Sequence, residues 1–245
     1  MKKQALLNTY VSNLTMDEAI TNIEDLVENK KKSYIVAINV DVVMKIESDS
    51  YLKQITDEAE MVLVDGQPLV WVAKMHKKPV KAKISGSDLV PLLCKKAADK
   101  GYTVYILGGK DGIAEKAKKR LEKKHPNIKI VGTYAPPMGF EKSEEEINKV
   151  NKKISEANPD LLIVCFGCPK QEKFIYENYQ KYDATVSVCA GATVDFLAGN
   201  IKRAPKWMSK CGLEWLYRFF KEPKRLFKRY FVDDVKIIKL IWKYR

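Results

Sequence analysis

Four short stretches combine residue types and spacing that could do chemistry. "EMVLV" is followed by "DGQPLVWV", which puts Asp65 where an apolar run meets a turn. Such an aspartate is most often a turn former or a helix N-cap, and in a cleft it can serve as a general base. "SYIVAI" is followed by Asn39, whose amide could orient a substrate hydroxyl or cap the next helix. "TVYIL" leads into "GGKDGIAEKA", with Gly108, Gly109 and Gly112 ahead of a helical pattern. That turn lets backbone N–H groups approach a phosphate at a helix N-terminus, and it equally suits a tight turn that needs glycine. "LLIVCF" is followed by "GCPKQEKFI". There Gly167 permits a turn, Pro169 suits a first helical turn, and Gln171 can donate to a sugar or phosphate or act as a cap.

Two further points narrow the chemistry. The diglycine spacing is GGxxG rather than GxGxxG, and "VGTYAPP" after Gly132 offers no acidic residue for a ribose. Both features count against a nicotinamide cofactor, and with it a nucleotide-dependent oxidoreductase, while a nucleotide diphosphate fits, with Gly108, Gly109 and Gly132 counted as candidate binding positions. "KISGSDLVPLL" adds Lys83 and Asp88, expected at another strand-to-helix junction. No Asp-x-Asp pair occurs anywhere in the chain. A diphosphate leaving group would then have to be neutralised by cations of the protein itself, so neither a cofactor nor a metal is expected.

The elements that must position these residues are legible as alternation. Strands are expected at 33–38, 60–64, 103–107, 128–132, 161–166 and 185–189, with amphipathic helical patterns between them. Thr15 with Glu18 and Ser143 with Glu146 have capping-box spacing. Strand–helix alternation implies an α/β fold: a Rossmann-like, largely parallel sheet flanked by helices. In such sheets ligands sit beyond the carboxyl ends of the strands, where the candidate residues fall. The composition changes near Asn200, so residues 1–200 are expected to form the catalytic domain and 201–245 an appendage.

Five cysteines, an odd number, suit reduced thiols; Cys165 and Cys168 form a lone CxxC in a chain with only two histidines, which argues against a zinc site. No apolar run approaches the ~18 residues of a spanning helix, and the N-terminus lacks a signal-peptide core. These features point to a cytoplasmic protein. The formal net charge is +13, and from Ile201 onward there are fourteen Lys and Arg against four Asp and Glu. A basic block of this kind implies a polyanionic partner.

The block is also aromatic: "GLEWLYRFFKEPKRLFKRYF" spans residues 212–231. On a helix starting at Pro223, Lys224, Arg225, Lys228 and Arg229 fall at about 0°, 100°, 40° and 140°. Leu226, Phe227, Tyr230 and Phe231 fall at about 200°, 300°, 240° and 340°. Bases and aromatics thus segregate, which favours an anionic membrane surface or the protein's own core over nucleic acid. A basic nucleic-acid-binding protein stays as the alternative of another class.

The segment "GATVDFLAGNIKRAPKWMSKCGLEWLYRFFKEPKRLFKRY" at 191–230, with "GCPKQE" and "LVDGQPLVW", closely resembles the WecG/TagA/CpsF family of bacterial glycosyltransferases, across nearly the whole chain. The resemblance implies an inverting, metal-independent enzyme. Its donor is a UDP-sugar, and its acceptor is an undecaprenyl-diphosphate-linked sugar at the cytoplasmic membrane face. In the wall teichoic acid branch, N-acetylmannosamine is passed to the 4-hydroxyl of the acceptor's N-acetylglucosamine. Other members transfer N-acetylmannosaminuronic acid, glucuronic acid or glucose. By the same resemblance Asp65 is the base, Asn39 and Gln171 are cleft residues, and Arg218, Arg225 and Arg229 are tail arginines, some of which close over the diphosphate. Lys228 is counted with them as substrate-binding. The resemblance also implies a lid-like tail and a weak monomer–dimer equilibrium. The chain departs from the family at Ala37, where threonine is common, and at Lys83, where arginine is common.

Overall fold

A computed structural model describes residues 3–205, 208, 213–221 and 223–245. The side chains of Arg218, Arg225 and Arg229 also lie outside what is described.

Six parallel strands form the main sheet: β3 (Ser33–Ile38), β4 (Met61–Val64), β5 (Thr103–Gly108), β6 (Lys129–Tyr134), β7 (Leu161–Cys165) and β8 (Val186–Cys189), in the order β4-β3-β8-β7-β5-β6. Before them β1 (Lys3–Leu6) and β2 (Thr9–Ser12) pair as an antiparallel hairpin. The α/β expectation and all six expected strands hold. The hairpin was not foreseen.

The interior strands are continuous Val, Ile and Leu runs because helices cover both faces. Alternate residues feed two cores. Val36, Ile38, Val64, Leu107 and Val164 face one, with α2 (Val40–Ser48), α3 (Ser50–Glu58), α4 (Gln67–Met75), α7 (Glu144–Ala157) and α8 (Lys170–Asn178). Ile35, Leu63, Ile106, Ile163 and Val188 face the other, with α1 (Met16–Glu28), α5 (Gly86–Lys100), α6 (Ile113–Lys124) and α9 (Thr193–Ala198). Thr15 and Glu18 form a complete capping box on α1, and Ser143 accepts from the Glu146 N–H at the start of α7.

Chain direction explains where a cleft opens. From β3 the chain turns through α2 and α3 to edge strand β4; from β8 it turns the other way into α9, which packs on α6. Loops diverge between β3 and β8, the switch point at which open α/β sheets bind ligands.

The C-terminal segment runs through a helix at Glu214–Lys221, a helix at Pro223–Lys228, a π-helical stretch at Arg229–Asp233, a 3-10 turn at Asp234–Lys236 and a last helix at Ile237–Lys243. The single helical wheel drawn through Phe231 therefore ends at Lys228. Within Pro223–Lys228 the wheel also needs a correction. Leu226 is buried, whereas Phe227 stands exposed alongside Lys224 and Lys228, so an aromatic and the bases share the outer surface.

Candidate active site

Four strand ends build the floor of one cleft. β3 and β4 are in register at Ile38 and Val64, so Asn39 and Asp65 are the next residues on neighbouring strands. The Asp65 N–H donates to the Ile38 carbonyl at 2.7 Å, which holds the two chains together one step past the strands. Asn39 caps α2 by accepting from the Val42 N–H at 3.2 Å. Asp65 does not cap α4. That position is taken by Gly66 at φ 121°, with no side-chain cap bond, so the N-cap expectation for Asp65 fails. A left-handed φ at the residue after the aspartate is what glycine supplies there.

Gln171 ties the other two strand ends together. Its Oε1 accepts from the Gly167 N–H at 3.3 Å and from the Gly191 N–H at 3.0 Å, linking the loop after β7 to the loop after β8. Its Nε2 donates to Glu172 Oε1 at 2.8 Å. Gln171 is thus more than a cap. Lys45 of α2 reaches across to the Cys168 carbonyl at 3.0 Å while pairing with Asp41 at 2.8 Å.

Together these loops and the C-terminal segment enclose a cavity of about 710 Å³. Its lining includes Ala37, Asn39, Asp65, Lys83, Gly167, Gln171 and Gly191 from the sheet side, and Glu214, Trp215, Tyr230 and Asp234 from the tail. The volume suits a sugar nucleotide, since ligand pockets of ≈ 300–1,000 Å³ are usual. Acidic groups outnumber the described cations in this lining, so an anionic diphosphate there needs positive charge from side chains such as the tail arginines.

Several contacts among the described residues fasten the tail to the rest of the chain. Arg203 pairs with Asp88; Lys83 lies 3.7 Å from Asp88 and 3.8 Å from Glu214; and Lys243 and Tyr244 bond Glu47 at 2.6 and 3.0 Å. The Lys243 hydrogen bond leads in holding the Glu47 carboxyl below its ordinary range. Burial alone would push the Asp88 carboxyl up. Hydrogen bonds from Ser85 and Arg203, with the Lys83 charge, outweigh it and leave the group lowered. No strand precedes Lys83. The residues before α5 are irregular and hug β4 through the Ile84 N–H to Val64 carbonyl bond at 2.8 Å, which corrects the strand-to-helix expectation.

Several expected binding positions lie apart from the cavity lining. Gly108 sits at φ 107° with a built Cβ 2.6 Å from the Cys165 carbonyl oxygen, and a Cβ on Gly109 would lie 3.0 Å from Val194. Gly132 passes over the Tyr105 ring, where a Cβ would come within 2.4 Å. Close packing therefore accounts for all three glycines. Gly108→Ala is expected to cost more than about 1 kcal/mol, from the left-handed backbone and the clash together. The check is a thermal melt; an unchanged Tm would reopen the phosphate-loop reading. Asp88 anchors Lys83 and Arg203 from outside the lining, and Lys228 is exposed on the tail. Burial pushes the Cys165 thiol up to about 12 and also raises Cys168, which leaves both as neutral thiols.

The stretch "CAGATVDF", from the end of β8 into α9, supplies Gly191, Thr193 and Asp195 to the lining, and no site residue was expected there. Its signal was the one used elsewhere, a Gly-containing turn at a strand's carboxyl end.

Among the described residues no helix is long and apolar enough to cross a membrane. The family model described as "Glycosyl transferase WecG/TagA/CpsF family" matches residues 4–245. A Bacillus subtilis (strain 168) protein named N-acetylglucosaminyldiphosphoundecaprenol N-acetyl-beta-D-mannosaminyltransferase is 28% identical over 226 residues, covering 92% of this chain and 86% of that protein. Proteins of the same name from Bacillus spizizenii W23 and Staphylococcus aureus MW2 are 31% identical over 198 residues (81% of this chain, 75% of theirs) and 28% identical over 226 residues (91% and 87%). With a cleft at the carboxyl ends of the strands and a family match over residues 4–245, the chain belongs to the WecG/TagA/CpsF family and is a glycosyltransferase.

Proposed function

We propose that this enzyme passes N-acetylmannosamine from its UDP donor to the 4-hydroxyl of N-acetylglucosaminyl-diphospho-undecaprenol, with inversion, as in building the linkage unit of wall teichoic acid. The relatives' shared name supports the substrates. The observation that carries the reading is the cleft itself. Asp65 and Asn39 lie side by side at strand ends, Gln171 at the start of α8 lines the same cavity and joins the loops after β7 and β8, and the tail forms the remaining wall. Residues 1–200 carry the fold, and 201–245 complete the site.

Asp65 takes the proton from the acceptor hydroxyl as that oxygen attacks the anomeric carbon from the face opposite UDP. Asn39 and Gln171 orient the sugars. Lys83 and the tail arginines 218, 225 and 229 balance the charge that develops on UDP. Lys83 can meet a phosphate as a point charge but not bidentately.

The lipid-linked acceptor calls for a lipid-facing surface. Phe220, Phe227, Val235, Ile238 and Trp242 of the tail are exposed, and Trp71 and Met75 of α4 are exposed as well. Basic residues among them suit an anionic bilayer at the cytoplasmic face.

The test is a turnover screen of UDP-sugars against one lipid-linked N-acetylglucosamine acceptor, with chelator present. UDP-N-acetylmannosamine is expected to give UDP and the disaccharide in chelator at the same rate as with magnesium. Turnover with UDP-glucose or a UDP-uronic acid alone would move the enzyme to another branch of the family. A strict need for magnesium or manganese would overturn the charge assignment.

A further inference from the structure

Glu172 is the most buried charged-type side chain near the cleft, with no exposed surface at all. One oxygen, Oε1, accepts the Gln171 amide; the other, Oε2, has no hydrogen-bond partner among the described residues. Burial acts most strongly on the group, against hydrogen bonds from the Gln171 amide, its own backbone N–H and the Cys168 thiol and the charge of the Lys45 ammonium. Lys45 is already engaged by Asp41 and the Cys168 carbonyl. Burial therefore pushes the Glu172 carboxyl up. A neutral acid with one idle oxygen costs less there than an uncompensated carboxylate.

A buried acid kept at that cost next to a cleft residue has a geometric consequence. A glutamine amide can sit either way round, with O and N exchanged. In the observed orientation Oε1 faces two backbone N–H donors and Nε2 faces the Glu172 oxygen. Turned over, Nε2 would face both backbone N–H groups, donor against donor, which nothing on the Glu172 side relieves. The two backbone donors thus specify one amide orientation, Glu172 gives its Nε2 an acceptor, and the second Nε2 hydrogen is left for a ligand in the cavity that Gln171 lines. We infer that Glu172 is a positioning residue for glycosyl transfer: it locks the Gln171 amide so that a donor N–H is held toward the substrate while the loops after β7 and β8 stay joined. The inference rests on the reading of Gln171 as a substrate-facing residue, stated above.

The experiment compares Gln171→Ala, Glu172→Leu, Glu172→Gln and the Gln171→Ala/Glu172→Leu double variant in the full chain, by kcat, KM for the UDP-sugar and Tm. Glu172→Leu is expected to lower kcat about tenfold or more, approaching Gln171→Ala, with KM moving less than about threefold. Glu172→Gln still offers an oxygen to Nε2 without a charge, so it is expected to keep kcat within about threefold. The double variant is expected to be no slower than Gln171→Ala alone, because one interaction is being removed twice. Glu172→Gln as slow as Glu172→Leu at unchanged Tm would overturn the inference, since a neutral acceptor would then not suffice. Fully additive losses in the double variant would overturn it too. Should the leucine variant not fold, Glu172→Gln alone decides on the same threefold criterion. Gln171→Ala with wild-type kcat would instead sink the substrate-facing reading of Gln171, and this inference with it.

Discussion

Asp65→Asn is expected to lower kcat by about 10²- to 10⁴-fold, the range a positioned general base contributes, while UDP affinity changes by no more than a few fold. The exchange is isosteric, and the residue's place is set by its backbone. Its N–H is held by the Ile38 carbonyl, and Gly66 makes the turn that follows. Since Gly66 is the cap of α4, removing the carboxylate takes no cap from the helix. A thermal melt accompanies the assay, and loss of turnover at unchanged Tm is read as loss of proton transfer. The measurement is UDP release with a lipid-linked acceptor, alongside UDP binding by calorimetry. Near-normal turnover would show that another group takes the proton. Equal loss of UDP binding would show that Asp65 shapes the nucleotide pocket instead.

That experiment also separates what the chain's letters carry from what only its folding reveals. The parallel sheet was legible because its strands are unbroken apolar runs spaced by helical patterns, and burial on both faces demands such runs. Asn39 and Asp65 directly follow two of those runs and Gln171 comes five residues after the end of a third, which is why all three were expected near one end of the sheet. Their partnership was not. The register of Ile38 with Val64 and the bridge from Gln171 to Gly191 join residues far apart in sequence, and nothing local encodes them. Glycines misled for a related reason. Gly108 and Gly132 read as phosphate-facing turns, yet the Cys165 carbonyl and the Tyr105 ring explain their lack of a side chain. Glycine is required by any close approach, whether of a ligand or of the protein's own atoms. The first hairpin escaped notice because its strands are four residues each and its turn passes through Leu7 at φ 54°, a place where glycine or asparagine is the usual signal. Glu172 was read only as part of a helix start. It lies on the buried side of α8 with Gln171, Phe174, Ile175 and Asn178, which the motif "GCPKQE" does not disclose.

Truncation after Asn200 is expected to abolish both vesicle association and turnover on the lipid-linked acceptor. The removed segment supplies Glu214, Trp215, Tyr230 and Asp234 to the cavity wall, so the remaining cleft would lie open on that side. It also carries fourteen of the chain's basic residues, each worth about 1 kcal/mol near an anionic bilayer. Truncation alone merges two effects, because Leu226 and Leu240 are buried and their loss also bares apolar surface. The full chain with Phe220→Ser, Phe227→Ser and Trp242→Ser keeps both leucines and the Glu47 latch while removing three exposed rings. Burying such a ring contributes about 1.5–3 kcal/mol, so this variant should bind anionic vesicles at least tenfold more weakly. With a short-chain, water-soluble acceptor it should turn over at close to the wild-type rate, because the cavity wall is intact. A truncated chain that still processed the lipid-linked acceptor would remove the tail from the active site. A triple variant that kept its vesicle affinity would place the bilayer contact elsewhere, with Trp71 and Met75 of α4 the next surface to test. Loss of turnover on both acceptors at unchanged Tm would mean that the exposed rings meet the substrate rather than the lipid.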